Sequence, residues 1–92
     1  MTRIKIKKLT WQGWNIEHIK KHRVSVEEVE EAAKNLVAHK RGYAGRFIAI
    51  GRSGTRIIVV IINREKTGQY FVVTARDASR EERRKVYEKE KN

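Results

Sequence analysis

The sequence predicts an α+β domain in which an antiparallel sheet of three to five strands is joined by two helices in the N-terminal half and one C-terminal helix. Two observations indicate this class. Ser-x-x-Glu capping boxes at Ser25 and Ser79 mark helix starts, and after about Val37 the spacing of apolar residues changes from helical to a period of two. The 92 residues are enough for one modest core, so residues 1–92 are expected to form a single domain.

The first third of the chain is expected to hold an edge strand and two helices. Ile4 and Ile6 alternate with lysines, which is typical of an edge strand that exposes charge. Asn15 is interpreted as the N-cap of a short helix over residues 16–21. The second helix follows Ser25 and has an apolar stripe for the core, which comprises Val26, Val29, Ala32, Ala33 and Leu36.

Three strands and a helix are predicted in the rest of the chain, over residues 46–51, 56–63, 69–75 and 80–89, with a further short strand possible over residues 36–39. Ser53-Gly54 and residues 65–68 have the composition of hairpin connections, which makes this part of the sheet antiparallel. The run IIVVII at residues 57–62 is apolar on both faces, as expected of a central strand that is covered on both sides.

Charge indicates the class of partner. Lys and Arg number 22 against 11 Asp and Glu, and a net charge of +11 on so small a domain favours a polyanion, with RNA or DNA ahead of an acidic protein. No apolar run is long enough for a membrane span, so no membrane partner and a cytoplasmic location are expected. The absence of Cys excludes disulfides, thiolate metal sites and a Cys nucleophile.

Arginines follow or begin the predicted strands in a pattern that suits phosphate. Arg46 and Arg52 share one strand face by the period of two, Arg56 begins the next strand, and Arg76 ends the third. Their planar forks can converge on phosphate oxygens near one end or one face of the sheet. The alternative is that they are solvated or pair with acidic side chains, namely Glu27, Glu28, Glu81 or Glu82.

The C-terminal helix carries a basic stripe where an ordinary helix would be apolar, and this stripe comprises Arg80, Arg83, Arg84 and Tyr87. A solvated basic helix is the alternative to a phosphate-binding one. Trp11, Trp14, Tyr43 and Tyr70 can stack on bases, although Trp14 and Tyr70 are expected to pack in the core or at its rim.

His18 and His22 are spaced for one side of the first helix, but no Glu of a His-Glu-x-x-His motif accompanies them, so a metal site is not expected. His22 is instead a candidate for general acid–base chemistry, because imidazole titrates near neutral pH. A helix-end cap is its structural alternative.

Three segments resemble one family over nearly the whole chain: WNIEHIKKHRVSVEEVEEA at residues 14–32, GRFIAIGRSGTRIIVV at 45–60 and TARDASREERRKVY at 74–87. They are similar to the BrnT family of toxins, small RelE-like ribonucleases of type II toxin–antitoxin pairs. Arg23 stands where that family commonly has Gly.

The resemblance implies a RelE-like fold and cleavage of RNA without a ribosome, metal or other cofactor. It also implies neutralisation by a dimeric ribbon-helix-helix antitoxin of the BrnA type. By the same resemblance, Arg76 with Arg52 or Arg56 would stabilise the phosphorane and Lys21 with His22 would handle protons or charge. Arg83 and Tyr87 would hold the RNA backbone, and the other candidate RNA contacts are Arg46, Arg80, Arg84 and Tyr43.

Two further functions remain open on the same fold, because fold alone does not fix function. One is a non-catalytic module that binds nucleic acid through the same arginines, and the other is a gyrase-inhibiting toxin of the ParE type. Loss of activity with retention of antitoxin binding is a third alternative.

Overall fold

A computed structural model describes residues 4–91 and has five strands and three α-helices. The elements in chain order are β1 Lys8–Thr10, α1 Gly13–Lys20, α2 Val26–Lys34, β2 Leu36–Arg41, a 3-10 turn Tyr43–Gly45, β3 Arg46–Ser53, β4 Arg56–Lys66, β5 Gln69–Asp77 and α3 Arg80–Glu90. The strands lie in the order β1-β5-β4-β3-β2, and neighbours from β2 to β5 are antiparallel. The predicted α+β class is therefore confirmed.

The N-terminal strand differs from its prediction in position and direction. The strand is Lys8–Thr10 and runs parallel to β5, so the sheet is mixed and not wholly antiparallel. Ile4 and Ile6 precede the strand and pack against the core, in which Leu9 is buried. The alternation of Ile with Lys correctly predicted that the isoleucines face the core. It did not show at which residue the pairing with β5 begins.

The first helix begins at Gly13 with Gln12 as its N-cap, so the assignment of Asn15 as N-cap is wrong. Asn15 is fully buried in the first turn, where its Oδ1 accepts a hydrogen bond from the Gln12 N–H at 2.7 Å. Its Nδ2 donates to the Val72 carbonyl of β5 at 3.1 Å. Asn15 therefore closes the helix start and also fixes α1 to the sheet.

Helix α1 ends in a left-handed turn, in which Arg23 has φ 58° and the Val24 N–H donates to the Ile19 carbonyl at 3.2 Å. Left-handed backbone at a helix end favours Gly because other residues place Cβ near a carbonyl oxygen. The position where the resembled family has Gly is thus one where this chain holds Arg in a Gly-type conformation.

Both faces of the sheet are covered, as predicted for a sheet with β4 at its centre. Helices α1 and α2 pack on one face over a core that includes Ile19, Val29, Ile58, Val60, Ile62 and Val72. Helix α3 packs on the other face, where Val86 lies in a smaller cluster with Ile50, Ile57, Val59 and Ala78. Within residues 4–91, no helix is long and apolar enough to cross a membrane.

Close approach of α2 to the sheet requires a glycine on β3. A Cβ built at Gly51 would lie 2.0 Å from the Ala32 carbonyl oxygen of α2. Gly51 therefore lets the helix backbone rest directly on the strand. This contact holds the last turn of α2 against β3.

Candidate active site and nucleic-acid interface

Three of the candidate arginines lie at one end of the sheet, called the arginine end from here on. Because β3, β4 and β5 are antiparallel neighbours, the end of β3, the start of β4 and the end of β5 meet there, bringing Arg52, Arg56 and Arg76 to the same end. The register places Arg76 beside Val59 and Arg52 beside Ile57, both of which belong to the α3-side cluster. Arg52 and Arg76 thus share the α3 face of the sheet.

Arg76 is half-buried and paired with α3. Its Nη1 donates to Glu82 Oε1 at 2.7 Å and its Nη2 to Glu82 Oε2 at 3.0 Å, so the fork is bidentate. Nη1 also donates to the Asp77 carbonyl at 3.2 Å. These hydrogen bonds from Arg76 to Glu82 lower the pKa of Glu82 to about 2 and raise the pKa of Arg76. The pairing with Glu82 that the sequence offered as an alternative is present.

Arg52 pairs with the last turn of α3. Its Nε and Nη2 bind the two carboxylate oxygens of Glu90 at 2.5 and 2.7 Å. The Arg52 Cζ lies 5.9 Å from the ring centroid of Tyr87, within the range of a cation–π contact. Nη1 of Arg52 takes part in neither of these two ion-pair contacts.

Arg56 binds two carboxylates. Its Nε and Nη2 donate to Asp77 at 2.7 and 3.0 Å, and its Nη1 donates to Glu28 at 2.7 Å. These hydrogen bonds from Arg56 lower the pKa values of both carboxyl groups and raise the pKa of Arg56. Because Glu28 also accepts from the Ser25 N–H at 2.9 Å, Arg56 ties the start of α2 to β4 and β5. This arrangement favours a structural role for Arg56.

The basic stripe of α3 is exposed, as expected. Arg80, Arg83 and Arg84 are solvent-facing, and Tyr87 is 50% exposed. Arg83 Nη1 donates to the Ala78 carbonyl at 3.2 Å, which holds this arginine over the arginine end. The charge of Arg83 also helps lower the pKa of Asp77, after the larger effect of Arg56. Arg83 and Tyr87 therefore border the same surface as Arg52.

Lys21 and His22 lie in the α1–α2 connection on the other side of the sheet. Both are exposed, and His22 is three residues before Ser25, the N-cap of α2. Consecutive Cα atoms are about 3.8 Å apart, so the Cα atom of His22 lies within roughly 11 Å of the Cα atom of Ser25. The helix that begins after Ser25 carries Glu28. A pocket of about 380 Å³ adjoins this connection and is lined by Ile16, Ile19, Lys20, Arg23, Val24, Ser25, Val26, Glu27 and Glu28.

Arg46 and Tyr43 do not lie at the arginine end. Arg46 begins β3 opposite Asn63, and Arg52 lies six residues further along the same strand, about 20 Å away at roughly 3.3 Å per residue. Tyr43 lies in the turn just before Arg46 and is 89% exposed. The shared strand face was inferred correctly, but convergence of Arg46 with the other arginines was wrong because one face runs the length of the strand.

The paired imidazoles form no evident metal site. His18 and His22 are in edge-to-face contact with ring centroids 5.6 Å apart. Among residues 4–91, no three His, Cys, Asp or Glu side chains are arranged to hold a metal ion. Trp14 contacts Phe71 at the rim with ring centroids 5.4 Å apart, and Tyr70 is 3% exposed in the core.

The sequence reasoning missed two acidic members of the arginine end. Asp77 directly follows Arg76, and its position at the end of a strand beside the start of β4 could have suggested a partner for Arg56. Glu90 gives no comparable signal, because its pairing with Arg52 depends on how α3 crosses the sheet.

This arrangement is that of a small RelE-like α+β domain with a basic, helix-covered sheet end. No family model matches the sequence, and no curated protein matches it. Among solved structures, the chain is similar to the ribonuclease toxin BrnT of Brucella abortus, with a TM-score of 0.64 and 26% identity. The match covers 79% of this chain and 97% of the BrnT chain. The predicted likeness to BrnT is thereby confirmed, and the protein has a BrnT-like, RelE-like fold.

Proposed function

We propose that this protein is the toxin of a toxin–antitoxin pair and acts as an endoribonuclease. The observation that carries the proposal is the structural likeness to a ribonuclease toxin over 97% of that toxin's chain. The net charge of +11 and the arginines at one sheet end add independent support, since both suit a phosphate polyanion.

The proposed reaction uses the RNA's own 2′-hydroxyl as nucleophile. A base removes the 2′ proton, the oxygen attacks the adjacent phosphorus, and the bond to the 5′-oxygen breaks as that oxygen is protonated, which leaves a 2′,3′-cyclic phosphate and a 5′-hydroxyl. Charge accumulates on the equatorial oxygens in the phosphorane, where fixed guanidinium donors stabilise it. We propose that no cofactor takes part.

We assign the phosphorane contacts to Arg76 and Arg52, which share the α3 face of the sheet. Each is held by a carboxylate of α3, through Glu82 and Glu90, and a fixed guanidinium costs little reorganisation when charge develops. Arg56 is assigned to positioning, because all its nitrogens contact Asp77 or Glu28. Arg83 and Tyr87 would hold the RNA backbone beside Arg52, with Arg80 and Arg84 adding charge.

We assign proton transfer to Lys21 and His22. Arg52 and Arg76 lie on the α3 side of the sheet, whereas these two residues lie on the α1–α2 side and would reach the phosphate around the end of the sheet. Both are exposed in the connection that leads to the N-cap of α2, whose Glu28 contacts Arg56 at the arginine end. An imidazole can accept the 2′ proton in its neutral form and return a proton to the leaving oxygen in its charged form.

The proposed protein partner is a dimeric ribbon-helix-helix antitoxin that neutralises the toxin in the cytoplasm. The argument is the same likeness to a toxin, together with a basic surface that an acidic partner segment would complement.

The test is induced expression in a bacterium, with and without the adjacent reading frame, followed by growth curves and analysis of total RNA. We expect growth arrest, RNA fragments with cyclic phosphate ends, and rescue by the neighbouring frame. Normal growth at confirmed soluble expression contradicts the toxin assignment. Intact RNA that is only retarded in gels indicates a binding module, and DNA damage with intact RNA indicates a gyrase-inhibiting toxin.

A further inference from the structure

The end of the sheet opposite the arginine end, called the Tyr43 end from here on, has a different surface. It is formed by the turns at residues 42–45 and 67–68, together with the start of β1. Tyr43 is 89% exposed there, more than Trp14 at 51% or Tyr87 at 50%. An aromatic ring so exposed buries little apolar area within the chain and has both ring faces accessible.

The turn that carries Tyr43 has a defined backbone. The Gly42 N–H donates to the Arg46 carbonyl at 2.7 Å and closes the turn. Ala44 and Gly45 both have positive φ, at 57° and 75°, so two consecutive residues adopt the left-handed conformation. The turn therefore presents Tyr43 from a fixed base, and a ligand would not have to order it.

The charge around Tyr43 is almost all positive. Exposed cations from four strands and the segment before β1 lie at this end, namely Lys7, Lys8, Lys40, Arg41, Arg46, Arg64 and Lys66. Within residues 4–91, no ion pair joins any of them to a carboxylate. Glu65 is the acidic residue of this end, and it accepts hydrogen bonds from Thr10 at 2.8 Å and Gln69 at 3.1 Å.

The two ends of the sheet thus differ in whether carboxylates pair with their cations. Carboxylates hold Arg52, Arg56 and Arg76 at the arginine end. At the Tyr43 end, no described cation is in an ion pair, although Arg64 donates to the Thr67 hydroxyl at 3.4 Å. Lys66 and Lys8 also help lower the pKa of Glu65, after the larger effect of the hydrogen bond from Gln69. Cations that release counterions on binding provide affinity without sequence preference. An exposed aromatic ring among such cations is the combination with which proteins bind single strands, by stacking on a base while charge follows the backbone.

We propose that the Tyr43 end is a second contact for single-stranded RNA, in which Tyr43 stacks on an unpaired base and Arg41 and Arg46 bind flanking phosphates. This rests on the proposed function and adds that the substrate spans both ends of the sheet. Because Arg46 and Arg52 are about 20 Å apart along β3, a dinucleotide at the arginine end does not reach Tyr43. A longer strand does.

The test measures binding of a 2′-O-methyl oligoribonucleotide of roughly twelve nucleotides, within the site sizes of single-strand binders. This probe cannot cyclise, so binding is measured without cleavage. We expect Tyr43→Ala to weaken binding roughly 5- to 150-fold, the range for losing one stacked base, and Tyr43→Phe to bind like the parent. Arg46→Gln should lower the salt slope of log K by about 0.7, the value for one phosphate contact to a single strand.

A matched control is Lys20→Gln, which removes one charge from an exposed lysine of α1 paired with Glu17 at 3.1 Å. It should leave the salt slope unchanged. Cleavage of a dinucleotide should be the same in Tyr43→Ala and the parent, whereas cleavage of the long strand should show a raised KM with little change in kcat.

Unchanged oligonucleotide binding by Tyr43→Ala at an unaltered melting temperature overturns this proposal. So does loss of antitoxin binding in that variant while RNA binding persists, which would mark the surface as a protein interface. If the parent binds the probe through Tyr43 but cuts no RNA, the second contact stands and the proposed cleavage fails.

Discussion

Arg76 and Glu82 form a bidentate ion pair, at 2.7 and 3.0 Å, that joins the end of β5 to the first turn of α3. The same Glu82 carboxylate accepts the Ser79 N–H at 2.7 Å and so completes the capping box of that helix. One carboxylate therefore orients a candidate catalytic arginine and fixes the helix start. Substituting Arg76 removes the candidate catalytic group and leaves the capping box in place, whereas substituting Glu82 changes both the support of Arg76 and the cap.

The first prediction concerns cleavage by a pair of variants. Arg76→Ala should slow RNA cleavage by about two to three orders of magnitude, the usual cost of losing one electrostatic stabiliser. Glu82→Gln should slow cleavage far less than Arg76→Ala, because Gln keeps one oxygen acceptor for the guanidinium and also serves in a capping box. Single-turnover cleavage rates measured well below both melting temperatures provide the comparison.

Arg76→Lys is a further control, since an ammonium keeps the charge but not the planar fork, and it should remain strongly impaired. Equal losses of cleavage in Arg76→Ala and Glu82→Gln, each with a clearly lower melting temperature, would show that the pair is structural and not catalytic.

Much of the fold could be predicted because local signals and tertiary packing agree. The capping boxes at Ser25 and Ser79 mark the observed starts of α2 and α3, and the doubly apolar run in β4 is the central strand. The predicted start of α1 was wrong for a physical reason. Asn is a residue type common at N-caps, but the Asn15 side chain accepts from the Gln12 N–H inside the first turn. It also donates to the Val72 carbonyl of β5, a strand distant in sequence.

The candidate site was predictable only in part. Strand period and turn position suffice to bring Arg52, Arg56 and Arg76 to one end. Their partners depend on helix placement, because Glu90 reaches Arg52 only through the crossing of α3 over the sheet. Residue types also do not show which helix each arginine will contact. Arg56 contacts Glu28 of α2 on one face of the sheet, whereas Arg52 and Arg76 contact α3 on the other face.

The second prediction concerns stability in acid. Arg76 holds the pKa of Glu82 at about 2 in the folded protein, against an ordinary value of 4.5. A lowered carboxyl pKa contributes stability that is fully present above the unfolded value and is lost as pH falls through the folded one. The melting temperature should therefore fall more steeply between about pH 5 and pH 2 in the parent than in Glu82→Gln.

The other carboxyl groups with lowered pKa are the same in both proteins, so the difference between the two pH profiles isolates Glu82. Parallel profiles over this range would mean that the ion pair adds no pH-dependent stability.

The third prediction concerns the contact between α2 and β3. Gly51→Ala should destabilise the fold by about 3 kcal/mol, the upper part of the range for overpacking, because its Cβ would meet the Ala32 carbonyl at 2.0 Å. Backbone atoms cannot rotate away as a side chain does. Chemical denaturation measures the change.

Gly13→Ala is the matched control, since a Cβ at this first residue of α1 meets nothing within 4 Å. That variant should be as stable as the parent or more stable, by up to about 1 kcal/mol, because Ala loses less backbone entropy in a helix. Similar stability for both variants would show that α2 shifts without cost.

The fourth prediction separates positioning from catalysis at Arg56. This guanidinium contacts Asp77 on β5 and Glu28 on α2 through all of its nitrogens, and Glu28 in turn binds the N-cap residue Ser25. Arg56→Ala should therefore lower the free energy of unfolding by about 1–2 kcal/mol, as for other partly buried networks, and loosen the start of α2. Hydrogen exchange at the first amides of α2 should rise with it. Cleavage measured well below the melting temperature should change far less than in Arg76→Ala, because the Arg56 guanidinium is held between two carboxylates, Asp77 and Glu28. Glu28→Gln changes the other partner of this contact, since Gln preserves the capping box but weakens the contact with Arg56, and it should give a smaller change of the same kind.

A large loss of cleavage in Arg56→Ala, at unchanged stability and unchanged hydrogen exchange, would instead assign Arg56 to the catalytic residues.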